Sequence, residues 1–293
     1  MTFRKYVDNV GEWYMKLRYK PFYRILRKMY RKYNLYYFNN NKDKIVIKKI
    51  DGINYRLNLG ELIDNSMYNK GYFEKNTTNA IKKLCKREMV IFDIGANVGI
   101  HALRMAKQVG PKGKIYAFEP MSWAQKKFKS NHLLNNNLNN IVLEKLALGE
   151  KEISITTKFR TSWQLSGNQN KQSLHTEKIN FKTLDSYVKE KKIKRLDFMK
   201  IDVDGGEYSM VLGAKKAIKK FMPKIILEVS EYQDERKYDV AKFLSIFKDL
   251  GYSFYSEENF KKFRSVSQIA KITKERRSIN LILINKNEKN PFS

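Results

Sequence analysis

Residues able to do chemistry gather at two places along the chain. The first is the run Val90-Ile91-Phe92-Asp93-Ile94-Gly95-Ala96-Asn97-Val98-Gly99. An apolar strand ends there in an acid, and a Gly-x-x-x-Gly turn opens a helix. Gly95 lets the backbone turn tightly, and Gly99 lets helix and ligand approach closely. Position 97 is Asn, so the run is not the G-x-G-x-x-G of dinucleotide enzymes, and there is no G-x-x-x-x-G-K-[ST] phosphate loop. A ligand without phosphate suits this turn. S-adenosylmethionine is such a ligand: it has an amino-acid end and a sulfonium, and Asp93 beside the turn balances that positive charge. Glu119, followed by Pro120, stands 20 residues after Gly99. A carboxylate at the tip of the second strand is placed to accept ribose hydroxyls. Ionised at neutral pH, it would be acceptor-only, suited to a ribose diol and repelling a 2′-phosphate.

The second place is Asp202-Val203-Asp204-Gly205-Gly206-Glu207, joined by Glu228 and Glu231 farther on. These acids follow the fourth and fifth strands, at the carboxyl edge where an open α/β sheet binds ligands. Were a methyl passed from such a sulfonium to a hydroxyl, the in-line displacement would also need the hydroxyl proton removed or its charge stabilised. Asp202 is the first choice of base, with Asp204 and Glu207 beside it. Clustered carboxylates equally suit Mg²⁺ or Mn²⁺, and Asp202, Asp204 and Glu228 are the candidate ligands. Of the three histidines, His101 sits one turn into the first helix as a packing residue, His132 has no evident role, and His175 closes a polar loop from which it could reach substrate. Trp123 either flanks an adenine or packs its helix. Cys85 reads as a small core residue without the local setting of a nucleophile.

These residues need a frame. Strands are expected at 89–94, 114–119, 141–144, 197–201, 224–229, 252–255 and 280–284, with helices at 98–108, 122–136, 207–219 and 238–250. Such alternation implies right-handed crossovers and a mostly parallel sheet with helices on both faces. Upstream, Asp51-Gly52 between two alternating runs predicts a β-hairpin within 43–60, and a helix is expected at 77–86. An insertion at 153–194 breaks the rhythm, and the polar stretch at 161–175 within it predicts a long loop of the kind that forms lids. Residues 1–42 form an extension to a domain at 43–293. Between 21 and 37, Phe22, Ile25, Leu26, Met29, Tyr30 and Tyr33 fall at helical spacing opposite Arg24, Arg27, Lys28, Arg31 and Lys32. Ten Lys/Arg against two acids give the first 40 residues a net charge of +8. That suits an anionic membrane surface, and also a helix packed on the main domain with its basic side solvated.

The whole chain carries +29, from 59 Lys+Arg against 30 Asp+Glu. This invites an acidic partner such as nucleic acid, anionic lipid or a phosphate-bearing substrate. The same richness in Lys, Asn and Ile is also what an AT-rich genome produces. A single cysteine cannot form an intrachain disulfide or a cysteine zinc cluster. With no apolar run long enough to span a bilayer and no signal-like N-terminus, the expected location is the cytoplasm, with peripheral attachment to the inner face of a membrane.

In ordered blocks the sequence resembles the FkbM-type methyltransferases, from about residue 65 to 284. The blocks are Gly71-Tyr72-Phe73-Glu74, Phe92 to Gly99, Ala117-Phe118-Glu119-Pro120, Leu146-Ala147-Leu148-Gly149, Thr183-Leu184-Asp185, and Phe198 to Glu207. The resemblance implies a class I methyltransferase (Rossmann-like) fold with a seven-stranded sheet and one reversed strand. It implies O-methylation of a sugar or natural-product hydroxyl. It carries cofactor roles onto Asp93, Gly95, Asn97, Gly99 and Glu119, and with them Glu74, Ala96 and Pro120 of the same blocks. Two departures stand out: Asp204 where the family usually has Glu, and His101 where an aromatic is common. The leading expectation is a methyltransferase acting on a hydroxyl of a cell-surface or lipid-linked glycan. A nucleic-acid methyltransferase is the first alternative. Against it, Asp202-Val203-Asp204-Gly205 stands where amino-group enzymes need Asn/Asp-Pro-Pro-Tyr/Phe, and carboxylates repel a phosphate backbone. A noncatalytic cofactor-binding module is the second. The partner is thus a small-molecule or glycan acceptor.

Overall fold

The fold comes from a computed structural model that describes residues 40, 44–159, 175–230 and 239–292. The expected helix at 21–37, most of the polar loop at 161–175, and Glu231 lie outside the described residues. Two compact units divide the chain: Met1–Phe73 with Lys158–Thr176, and Glu74–Thr157 with Glu177–Ser293.

In the first unit, β1 (Ile45–Ile50) and β2 (Ile53–Asn58) pair antiparallel. Asp51 and Gly52 both adopt positive φ, 50° and 73°, as a two-residue hairpin turn requires. Alternation buries Ile50, Ile53, Tyr55 and Leu57. Helix α1 (Leu62–Lys70) follows. Its polar sequence has no wide apolar stripe, and it is held by side chains instead: Asp64 Oδ2 accepts the Asn58 N–H at 2.6 Å and Asn65 Nδ2 donates to the Leu59 carbonyl at 3.1 Å.

From residue 74 the chain runs α2 (Lys75–Leu84), β3 (Val90–Ile94), α3 (Ile100–Val109), β4 (Lys114–Phe118), α4 (Ser122–Leu133), β5 (Ile141–Glu144), β6 (Ala147–Leu148), β7 (Ile153–Phe159), β8 (His175–Lys182) and α5 (Leu184–Glu190). It continues with β9 (Phe198–Ile201), α6 (Glu207–Leu212), α7 (Lys215–Phe221), β10 (Lys224–Ser230), α8 (Val240–Asp249), β11 (Tyr252–Ser256), α9 (Val266–Arg276) and β12 (Ser278–Asn285). Seven strands form one sheet in the order β11-β12-β10-β9-β3-β4-β5. β12 runs antiparallel to both neighbours, and the other pairings are parallel. From β3 the chain steps outward through β4 and β5, then returns to β9 on the other side. This reversal opens a crevice at the carboxyl ends of β3 and β9.

The segment expected as a looping insertion contains structure of its own. β6, β8 and β7 form a three-stranded sheet in that order, with β6 parallel to β8, and Thr183 caps α5 by accepting the Ser186 N–H at 3.1 Å. The single helix expected at 207–219 is two helices. Asp185 donates its N–H to the Gly213 carbonyl at 3.0 Å, and its carboxylate accepts the Lys216 and Ala217 N–H groups at 3.2 and 2.7 Å. That cap starts a new helix where the old one would have continued. On the sheet, Phe92, Phe118 and Tyr187 pack edge to face, with centroids 4.9–6.1 Å apart. Among the described residues no helix is long and apolar enough to cross a membrane.

Candidate active site

β3 delivers Asp93 and the turn to the carboxyl edge. Gly95 has φ +81°, and a Cβ there would lie 1.7 Å from the Asp202 carbonyl oxygen. The close approach follows from strand pairing, since Asp202 N–H donates to the Ile94 carbonyl at 3.1 Å. Only glycine fits. Gly95 and Ala96 both give their N–H groups to the Phe118 carbonyl, at 3.0 Å each, which ties the turn to β4. At Gly99, φ +85°, a Cβ would strike the Phe128 ring at 2.4 Å, so this glycine lets α3 and α4 close together.

Glu119 brackets the turn. Its Oε2 accepts the Asn97 N–H at 2.9 Å and its Oε1 accepts the Met121 N–H at 2.8 Å, while its own carbonyl accepts from Gln125 Nε2 at 2.8 Å. Each carboxylate oxygen keeps a further lone pair for a hydroxyl. Full ionisation at neutral pH, expected from the sequence, needs correction. Burial pushes the carboxyl up to about 7 despite the two N–H donors. Pro120 follows it half-buried, and Trp123 is half-buried on the first turn of α4.

Asp93 is wholly buried, and neither carboxylate oxygen has a hydrogen-bond partner among the described residues; Asn97 Oδ1 is likewise unpartnered. Burial raises the Asp93 carboxyl, with Lys200 and His101 pulling the other way. Unsatisfied buried acceptors under a glycine turn fit a cationic, donor-rich ligand. Glu74 stands just before α2 with φ 48° and makes no side-chain capping bond; its Oε2 lies 2.9 Å from His101 Nε2. Burial would raise Glu74, but the His101 hydrogen bond and the Lys200 charge hold it below the usual carboxylate range.

Sequence reading missed Lys200. It is 3% exposed in the middle of β9, its Nζ donates to Asp202 Oδ2 at 2.7 Å, and the charges of Asp202, Asp93 and Glu74 hold its ammonium ionised against burial. A charged residue inside the apolar run Phe198-Met199-Lys200-Ile201 was the available signal. For Asp202, burial is outweighed by the Lys200 charge and by a hydrogen bond from Glu228, so its carboxyl is lowered. Glu228 is pushed up to about 8, first by burial and then by the Asp202 charge. One proton is therefore shared by the pair, on Glu228 at neutral pH, and Ser278 Oγ donates to Glu228 Oε1 at 2.5 Å.

Glu207 is fully buried. Its Oε1 accepts the Val203 and Gly205 N–H groups at 2.8 and 3.3 Å, which fixes the loop after β9. Oxygens of Asp202, Glu207 and Glu228 lie within 4.8 Å of one another. Glu207, not Asp204, thus completes the acidic trio; Asp204 is exposed with φ 51°. Three oxygen donors suit a hard divalent cation. Such an ion would have to displace the shared proton beside the Lys200 ammonium. A buried polar trio was also missed. Glu257, 6% exposed, receives hydrogen bonds from Thr77 and Asn280, and Asn280 Nδ2 donates to Thr77 Oγ1 at 3.2 Å. His132 Nε2 bonds the Leu138 carbonyl at 2.7 Å and closes its own helix end.

A seven-stranded sheet with one reversed strand next to an edge, a glycine turn after the first inner strand and an acid at the tip of the second define a class I methyltransferase fold. The Methyltransferase FkbM domain matches residues 93–254, just over half of the chain. The chain belongs to the FkbM methyltransferase family. The match starts at Asp93, so Glu74 lies outside it.

Two relatives are 26% identical to the chain. One is Methyltransferase 1 of Beauveria bassiana (strain ARSEF 2860), over 144 residues covering 42% of this chain and 57% of that protein. The other is 2-O-methyltransferase NoeI of Sinorhizobium fredii (strain NBRC 101917 / NGR234), over 178 residues covering 54% of this chain and 69% of that protein. The chain thus spans little more than half the length of the first. A crystal structure of methyltransferase FkbM from Methylobacillus flagellatus KT is similar with a TM-score of 0.43 at 18% identity, covering 67% of this chain and 44% of that one.

Proposed function

We propose that the protein is an O-methyltransferase that moves the methyl group of S-adenosylmethionine to a hydroxyl of a saccharide, on a cell-surface or lipid-linked glycan. The observation that carries this reading is the proton-sharing Asp202–Glu228 pair, with Asp202 at the end of β9 beside the glycine turn of β3 and Glu228 on β10, one strand farther. The 2-O-methyl transfer named for one relative supports oxygen as the acceptor atom.

In this reading Gly95, Ala96, Asn97 and Gly99 form the bed for the cofactor. Glu119 takes its ribose hydroxyls beside Pro120, and Asp93 and Glu74 balance its positive end. When bound, the cofactor supplies a methyl carbon already activated by a positively charged sulfur. The protein's work is then alignment and proton removal. Asp202, held ionised by Lys200, is a weak base by itself. Once deprotonated, Glu228 has the stronger affinity for the hydroxyl proton and Asp202 orients it. Glu207 keeps the loop at 203–205 in place, and Asp204 stands exposed at the same edge, where it can meet the acceptor. A divalent ion on the acidic trio is compatible with this role for the site. Residues 1–42 are an extension of the methyltransferase domain at 43–293, and their basic amphipathic pattern suits a cytoplasmic enzyme held at the inner face of a membrane.

The test is transfer of labelled methyl from S-adenosylmethionine by the purified protein. A base-stable, ether-linked methyl on glycan intermediates is the expected product. Label in RNA instead, or cofactor binding without any transfer to hydroxyl acceptors, would overturn the reading.

A further inference from the structure

The β1–β2 hairpin carries a face that methyl transfer does not use. Alternation along β1 puts Ile45, Ile47 and Lys49 on the side opposite buried Ile50, and the register sets Asn58, Arg56 and Asn54 across from them. Ile47 is 63% exposed and Ile45 46%. Lys49 and Arg56 are exposed too, as is Lys44 just before the strand. Among the described residues of the two strands none on this face is an acid, and the exposed Asp51 sits in the turn beyond them. β1 is one strand of a two-stranded sheet, so its outer edge has no strand partner among the described residues.

A single exposed isoleucine is ordinary. Two of them at i and i+2 on one strand, roughly 7 Å apart and flanked by three cations, make a different surface. Apolar side chains of this kind enter a bilayer below the headgroups while Lys and Arg remain at the phosphates. Two other occupants fit less well. Residues 1–40 carry a net charge of +8 and would meet Lys44, Lys49 and Arg56 as like charges. A nucleic acid would gain from the cations but nothing from the isoleucines.

We propose that the exposed face of this hairpin, Ile45 and Ile47 within Lys44, Lys49 and Arg56, docks the protein on an anionic lipid bilayer. The proposal concerns residues 44–56 and stands apart from the identity of the methyl acceptor. It is tested by sedimenting the full chain with phosphatidylcholine vesicles containing or lacking phosphatidylserine, with thermal melts to show that each variant is folded. The wild-type protein partitions onto the anionic vesicles and far less onto the neutral ones. Ile45→Ser/Ile47→Ser, with every charge of the hairpin and of residues 1–42 intact, lowers the partition coefficient about thirtyfold, as expected for two half-inserted isoleucines. Lys44→Glu/Lys49→Glu lowers it as well, and added salt shrinks that effect. The proposal falls if the wild-type protein ignores anionic vesicles or if either double variant binds like the wild type.

Discussion

Replacing Glu119 with Gln tests the cofactor turn through stability as well as binding. In the fold this carboxyl titrates at about 7, against 4.5 for an ordinary glutamate, chiefly because it is buried. Its folded-state pKa is raised, so the protonated form favours the fold. That contribution is complete below about pH 4.5 and disappears as the pH rises to 7. A difference of this size is worth about 3 kcal/mol. Glutamine does not titrate and forfeits the pH-dependent part. It also turns one acceptor into a donor, leaving either the Asn97 or the Met121 N–H facing an amide N–H at a cost of about 1–3 kcal/mol. Urea unfolding of both proteins at pH 5 and pH 7.5 measures the gap between them. The variant should be clearly less stable at pH 5, and the gap should narrow by about 2–3 kcal/mol at pH 7.5. Other titrating groups cancel in the comparison. Calorimetry with S-adenosylhomocysteine at pH 7.5 should show affinity weakened about 10- to 100-fold by the lost acceptor. An equal stability gap at both pH values would refute the buried, raised carboxyl. Unchanged affinity would refute its role at the ribose.

Gly95→Ala must place a methyl 1.7 Å from a backbone carbonyl at φ +81°; it should destabilise the protein by at least about 2 kcal/mol and abolish S-adenosylhomocysteine binding, and a variant that melts and binds like the wild type would contradict the turn. Lys200→Met leaves the Asp202 carboxylate without the ammonium 2.7 Å away, so a loss of about 3–5 kcal/mol is expected in chemical denaturation. Wild-type kcat/KM should climb with pH to a plateau above about 8 as Glu228 loses its proton, and Glu228→Gln should remove that ionisation from the profile. If the trio of Asp202, Glu207 and Glu228 takes up Mn²⁺, binding must expel the same proton, so its affinity, read by electron paramagnetic resonance, should rise up to tenfold per pH unit below 8.

The parallel sheet was legible because each inner strand is a short apolar run closed by Gly, Pro or an acid, and the observed bounds fall within one or two residues of those expected. The glycine turn and Glu119 were legible for the same reason: their chemistry lies in contiguous residues. What stayed hidden depends on distant partners. The strands at 153–182 pair with one another across the insertion, and no local pattern specifies that pairing. The break at Gly213 depends on Asp185, about 30 residues upstream. α1 lacks an apolar stripe and is fixed by Asp64 and Asn65 instead. In the site, Asp202 and Glu228 were picked out as acids, but the proton they share depends on Lys200 and Ser278, which strand pairing brings alongside. Glu257 meets Thr77 across 180 positions of sequence; only the folded chain reveals it.

The contact between Gly95 and the Asp202 carbonyl has a consequence for how such an enzyme could change acceptors. The glycine turn and the Asp202–Glu228 pair hang from three consecutive parallel strands, β3, β9 and β10, so their separations are set by ladder spacings of about 4.8 Å per strand and not by any loop. Substitutions in the outer segments can reshape what enters the crevice while the distance from the turn to the acids stays the same.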